Sequence, residues 1–222
     1  MNKIAVIINP QAKKIRTGKL SIDSFQAINP DLITVYITNH IDEIDSVGHA
    51  IKKENISYLA IVGGDGTIHN VITRLLTILT PETLPPILVL KGGTMDNVSK
   101  SIKLRGKSLQ ILKRLVKAIK KNKEIEIYER RTLTIGNFYC FLFGIGIIAN
   151  FLNEVYSGEK GVGTIIKSSI KLIAHSIYEP KIKSIYKGVD CTVTVDNFCL
   201  PFEHIAALLA GTVEYISDGM PT

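Results

Sequence analysis

Cysteine is scarce in this chain of 222 residues: there are three, Cys140, Cys191 and Cys199. None stands in a Cys-x-x-Cys pair, so the spacing gives no indication of a zinc site. No signal peptide opens the sequence, and the thiols are expected to be reduced and buried in a cytoplasmic protein. Long apolar runs are missing as well. The longest stretch, Phe138–Leu152, is short for a membrane span and is broken by Gly144, Gly146 and Asn150, which argues against an integral membrane protein. Internal repeats and low-complexity tracts are absent. Acidic residues are missing from Lys103 to Lys123, a segment that holds nine Lys and Arg. Setting those nine aside leaves 18 basic against 20 acidic residues, so the formal charge of +7 is concentrated there.

Within that segment Leu109, Leu112, Leu115, Val116 and Ile119 recur at helical spacing. The pattern predicts an amphipathic helix, apolar stripe inward and basic face outward. Two readings of the face stand side by side. It is an ordinary solvated surface, or it meets an anionic membrane leaflet, where each Lys or Arg contributes about 1 kcal/mol at low screening. Nucleic acid is not the expected partner, because no aromatic residues interleave with the charges.

Hydrophobic residues make up 45% of the chain, enough for a core. Four nearly continuous apolar runs, Ile4–Ile8, Ile33–Ile37, Tyr58–Val62 and Ile87–Leu90, alternate with helical stretches. That is the pattern of a parallel α/β sheet covered on both faces, and it defines a first domain over residues 1–127. After Lys123 the texture changes to short β-branched segments: Arg131–Ile135, Phe138–Phe143, Cys191–Val195 and Ile205–Leu209. Gly136-Asn137 has the turn chemistry of a hairpin between the first two. Apolar residues at helical spacing predict one helix over Thr164–Ile177. Residues 128–222 are therefore expected to form a second, mostly β domain.

The run Gly63-Gly64-Asp65-Gly66-Thr67 joins the third strand to an amphipathic stretch, Ile68–Leu76. A strand that turns through glycines into a helix start brings backbone N–H groups and a partial positive charge to one point, which suits phosphate. Bare phosphate would repel Asp65, so its carboxylate makes most sense holding Mg²⁺ or its water. Thr67 is placed to cap the helix and to offer its hydroxyl to a phosphate oxygen. A plain tight turn, capped by Asp65 or Thr67, is the simpler reading. Against it, Asn9, Thr38, Gly63 to Thr67 and Thr94 all fall just past strand ends. In an open parallel sheet that edge is where ligands bind.

The Gly-Gly-Asp-Gly-Thr run is shared by NAD kinases, phosphofructokinases and diacylglycerol kinase-like lipid kinases. Ile7-Ile8-Asn9-Pro10 resembles the Asn-Pro nucleotide loop of the lipid kinases. Lys91–Lys100 resembles their second loop, a Gly-Thr-x-Asn stretch entering a helix, and Thr38 matches a nucleotide-contacting threonine. Phe143–Ile147, Ala210–Val213 and Gly219–Pro221 resemble segments of their second domain. The chain is identified as a member of this bacterial lipid kinase family. The resemblance implies an ATP- and Mg²⁺-dependent kinase that phosphorylates a diacylglycerol-like lipid hydroxyl, at most peripheral at the membrane. It implies nucleotide binding by Asn9, Pro10, Thr38, Gly63, Gly64, Asp65, Gly66, Thr67, Thr94 and Asp96. Asp65 is the expected catalytic residue and holds the metal through water. Lys13 and Lys14 either meet phosphate or are solvated, and His69 is expected to pack rather than to move protons. Nothing in the sequence specifies an oligomeric state.

Three departures from the family pattern are visible. His69-Asn70 stands where Asn-Glu is usual, and Asp96-Asn97 reverses the usual Asn-Asp order. The resemblance also places Thr222 inside the second domain, with the family's acidic base and Asp-Asp-Gly magnesium segment beyond it. A nucleotide-binding remnant without turnover is therefore the alternative, and an NAD kinase-like enzyme a further one, against which Asn9-Pro10 and the Thr94 loop count.

Overall fold

In the computed structural model, which describes residues 2–93, 97–150, 153, 186–213, 215–216 and 220–221, strand β1 (Lys3–Ile8) is buried from Ile4 onward. Side chains alternate across a strand, so β1 feeds two cores. Ala5 and Ile7 join one, while Ile4, Val6 and Ile8 join the other. Strands β2 (Ile33–Ile37), β3 (Ile56–Gly63) and β4 (Ile87–Lys91) complete a sheet of order β2-β1-β3-β4. All three pairings are parallel. The runs read from the sequence as buried strands are these four, with β3 starting two residues earlier, at Ile56.

A parallel sheet needs cover on both faces. On one, α3 (Glu43–Glu54) contributes Ile44, Val47 and Ile51, and α4 (Asp65–Leu75) contributes Ile68, Val71, Ile72 and Leu75. The other is closed by Phe25 of the short helix α2 (Asp23–Gln26) and by Ile111, Leu112, Leu115, Val116 and Ile119 of α6 (Ser108–Lys120). Each such side chain, once fully buried, contributes about 1.5–3 kcal/mol relative to exposure. The basic segment thus forms the expected helix, apolar stripe inward. Arg74 of α4 ties the first pair of helices together, its Nε and Nη2 reaching the Asp45 carboxylate at 2.9 and 2.5 Å.

The strand order has a consequence for ligands. From β1 the chain crosses to β2 on one side, then returns to β3 on the other. The connections diverge between β1 and β3, and a crevice opens there at the carboxyl ends.

The chain divides into two compact units, residues 1–141 with 212–221 and residues 142–211. Beyond the sheet, the first unit holds the hairpin β5 (Leu133–Ile135) and β6 (Phe138–Cys140), joined as expected by Gly136-Asn137. It also holds α1 (Lys13–Arg16), α5 (Asn97–Ser101), β13 (Tyr215–Ile216) and β14 (Met220–Pro221). In the second unit β7 (Leu142–Gly146) pairs antiparallel with β12 (Ala207–Gly211), and β8 (Val189–Asp190) with β11 (His204–Ile205). There, β9 (Thr194–Val195) and β10 (Phe198–Cys199) form a hairpin through Asp196-Asn197. Both turn residues have positive φ, 48° and 70°, the pattern of a type I′ turn.

Three expected strands come out differently. Phe138–Phe143 breaks at Phe141, because the first part pairs with β5 and the second with β12. Ile205–Leu209 breaks at Ala206, where pairing passes from β8 to β7. Cys191–Val195 is strand only at Thr194–Val195, since Cys191 instead donates its N–H to Glu203 O at 3.0 Å. None of the three cysteines is in a disulfide, but only Cys140 is buried; Cys191 is half-buried and Cys199 exposed. The helix expected over Thr164–Ile177 lies outside the described residues. Among the described residues no helix is long and apolar enough to cross a membrane.

Candidate functional site

The ends of β1 and β3 are tied by Asn9. Its N–H donates to Val62 O at 3.1 Å. Its side-chain Nδ2 donates to Thr67 Oγ1 at 2.9 Å, and its Oδ1 accepts the Gln11 N–H at 2.8 Å. The second bond is an Asx turn, so both ends of the amide are committed and its orientation is set by its partners. Pro10 follows directly, with no N–H to satisfy.

Thr67 does not cap α4. The N-cap is Gly64, extended at φ −95° and ψ −175°, which has no side chain to bond back to the first turn. The helix therefore starts at Asp65, Thr67 lies inside its first turn, and its hydroxyl is turned to Asn9. A helix start without a side-chain cap leaves its N–H groups for another acceptor.

Glycine is required here by close approach. A Cβ on Gly63 would lie 2.4 Å from Thr67 Cβ. One on Gly92 would lie 2.8 Å from Gly63 N. Gly92 N donates to Gly63 O at 2.9 Å, and Lys14 N to Gly92 O at 3.1 Å. A Cβ on Gly64 would stand 3.3 Å from Gly93 Cα. The loops after β3 and β4 thus run backbone against backbone, with the loop after β1 alongside.

Asp65 is half-buried, and its Oδ1 accepts the Val98 N–H at 3.1 Å, in the first turn of α5. Its carboxylate joins the first glycine loop to the helix that follows the second. The Lys91 carbonyl accepts from Lys14 Nζ at 3.1 Å and from Ser108 Oγ at 2.9 Å. Lys14 is thereby engaged with the end of β4, while Lys13 is exposed. Thr38 stands on the other flank of β1. Its N–H and its hydroxyl reach Ile8 O at 3.0 and 3.5 Å. A cavity of about 370 Å³ opens beside it, lined also by Tyr36, Asn39, Glu43 and Ser46. Burial, then the charge of Glu54, raises the Tyr36 phenol above its ordinary value.

The structure brings together Asn9, Pro10 and Gly63 to Thr67, and places Thr38 at the same edge. Thr94 and Asp96 lie outside the described residues. From the sequence Gly92 and Val98 belong to the second loop without a role of their own, and Ser108 has none. A glycine directly after an apolar strand was the available signal for Gly92. His69, on α4, donates from Nδ1 to Tyr139 O at 2.6 Å, and its ring stacks on Phe138 with centroids 5.9 Å apart. The carbonyl partner requires a proton on Nδ1, and the residue packs the hairpin onto α4.

Among the described residues no three His, Cys, Asp or Glu side chains gather into a metal cluster. Magnesium is commonly held by one or two carboxylates, water and substrate phosphates. Asp65 beside an uncapped helix start fits that pattern.

The sequence profile of the diacylglycerol kinase catalytic domain matches residues 3–127, the sheet, both cores and the glycine loops. The chain belongs to this family. A Staphylococcus aureus (strain Newman) protein named "Putative lipid kinase" is 26% identical over 135 residues, 59% of this chain and 41% of the relative. A relative from strain MRSA252 is 26% identical over 127 residues, 57% of this chain and 37% of its own length. The match therefore spans about two fifths of these curated relatives. Two structures from Bacillus anthracis str. Sterne, one described as a "putative diacylglycerol kinase" and the other as a diacylglycerol kinase, share the fold. One has TM-score 0.59 at 16% identity and the other 0.58 at 17%. Both cover 100% of this chain, which spans 68% and 67% of theirs.

Proposed function

We propose that this family member is an ATP-dependent lipid kinase that transfers the γ-phosphoryl group to a hydroxyl of a diacylglycerol-like lipid. The supporting observation is the packing of the two glycine loops against each other beneath the start of α4, with Asp65 joining them. In this reading residues 1–127 form the catalytic nucleotide-binding domain and residues 128–222 the lipid-binding one.

Phosphoryl transfer needs positioning and charge neutralisation more than covalent catalysis. The N–H groups at the start of α4, with Gly63, Gly64 and Gly66, hold phosphate oxygens. Asn9 and Thr67 fix the loop's shape, Pro10 shapes the neighbouring turn, and Thr38 bounds the nucleotide on the β2 side. Thr94 and Asp96 extend the second loop of the nucleotide site. Asp65 would hold Mg²⁺ through water, and the ion, when bound, neutralises charge on the transferring phosphates.

The test is Mg²⁺-dependent transfer of labelled phosphate from ATP to diacylglycerol in neutral mixed micelles, or to NAD. Label enters the lipid, and Asp65→Asn lowers the rate by roughly tenfold or more. Label in NAD instead overturns the choice of acceptor. A second reading, nucleotide binding without turnover, draws on Asn70, exposed on α4 where the family resemblance expects a carboxylate. ATP binding with no label in either acceptor would establish it.

A further inference from the structure

The nine basic residues of the 103–123 segment are all exposed. Among the described residues none of them pairs with a carboxylate. On α6 the solvent side carries Lys113, Arg114, Lys117 and Lys120, three and four residues apart, and Lys121 continues the row. Residues at that spacing are neighbours on one helix face. The preceding loop is folded onto the same stripe. Arg114 Nη2 donates to Arg105 O, and Lys107 N donates to Gln110 Oε1 at 3.2 Å. Gly106, at φ +112°, makes the bend.

Like charges at this spacing repel, and repulsion costs helix stability. Nothing within the segment offsets it. Acidic residues begin only at Glu124 and Glu126. A surface that concentrates the chain's excess charge in one unpaired stripe is complementary to an anionic surface.

We infer that this stripe docks the protein on an anionic lipid bilayer by charge alone. The inference rests on the lipid kinase reading for its choice of surface. Two features of the fold shape it. Ser108 Oγ is fastened to Lys91 O at 2.9 Å, so the stripe starts at the sheet edge that carries the glycine loops. Docking there keeps the phosphate site close to the lipid. The apolar side of α6, from Ile111 to Ile119, is packed on the sheet and at most 9% exposed. It is not available to enter the bilayer as an interfacial helix would. Attachment is therefore shallow and screened by salt, whose Debye length is about 8 Å at physiological strength.

The experiment is sedimentation of the full chain with vesicles. One set is phosphatidylcholine; the other contains about one third phosphatidylglycerol, where surface charge attracts basic segments. The wild type sediments with the anionic set only and is released at about 0.5 M salt. The variant Lys113→Gln/Lys117→Gln/Lys120→Gln/Lys121→Gln loses roughly 10²–10³-fold in partitioning at low salt, about fivefold per lysine. Its far-ultraviolet circular dichroism and its turnover of diacylglycerol in neutral micelles stay at wild-type values. Equal sedimentation of variant and wild type overturns the inference. So does absence from the anionic vesicles, or retention on immobilised DNA or RNA with no vesicle binding. Vesicle binding without micellar turnover would instead sink the lipid kinase reading and leave the docking intact.

Discussion

At Gly63 a single methyl group has nowhere to go. The added Cβ meets Cβ, Cγ2 and Oγ1 of Thr67 within 2.5 Å. Gly63→Ala must move Thr67, and with it the bond to Asn9. Overpacking of this kind costs about 1–3 kcal/mol. The expected result in a urea titration is a loss of that size, with ATP affinity down by roughly tenfold or more. Asn9→Ala removes two hydrogen bonds, each worth about 0.5–1.5 kcal/mol net, while leaving space rather than a clash. It should weaken ATP binding with a smaller effect on stability than Gly63→Ala, and calorimetric titration of both variants checks the order. These residues were legible because their types and spacing carry the chemistry locally. Gly92 was not, because the atom that excludes its side chain belongs to Gly63, far away in sequence. Asp65 was legible as a carboxylate at a phosphate loop, but its bond to Val98 depends on where α5 begins.

At the scale of elements, α6 and the β5–β6 hairpin are held in different ways. Leu112 is 0% exposed in the core beneath α6, and Leu112→Ala should cost about 2–5 kcal/mol. Lys117→Gln, on the opposite side, should stay within about 0.5 kcal/mol. Chemical denaturation of the pair separates the helix's packing from its charge. The hairpin is held by polar contacts. Thr73 Oγ1 accepts the Tyr139 N–H at 3.0 Å and lies 3.3 Å from Tyr139 O. Thr73→Val keeps the volume but strands that N–H, at about 1–3 kcal/mol, and hydrogen exchange at Tyr139 should speed up accordingly. The four parallel strands and α6 were readable because each is a sustained period or a continuous apolar run. The strands of the second unit were not. Pairings two residues long carry no period, and the breaks at Phe141 and Ala206 record a change of partner that no local signal announces.

For the whole molecule, the proposed site predicts a linkage. A ligand that binds only the folded state stabilises it by about 2.7 kcal/mol at one hundred times its dissociation constant. At that concentration ATP with Mg²⁺ should therefore raise the thermal midpoint of the wild type about twice as far as that of Gly63→Ala, whose roughly tenfold weaker binding leaves about 1.4 kcal/mol. Exchange protection should be concentrated at residues 9–14, 63–67 and 91–98. A shift of equal size in both proteins would place the nucleotide elsewhere. At this scale the sequence specified the architecture of the first 127 residues closely, because hydrophobic pattern and loop chemistry agree there. The return of residues 212–221 to the first unit was not readable, since contacts between distant segments leave no trace in local composition.

That return bears on how the chain is made. Thr212 N donates to Phe141 O at 2.9 Å, and Arg130 reaches both Ser101 O and Thr212 O, at 3.0 and 3.4 Å. The sheet and both of its cores are complete in sequence long before Thr212 leaves the ribosome. At roughly 5–20 residues per second, seconds pass between the emergence of Phe141 and that of Thr212. During that interval the nascent first unit carries its glycine loops already assembled, while the Phe141 carbonyl still faces water. The final closure of that unit waits for the second unit to be synthesised.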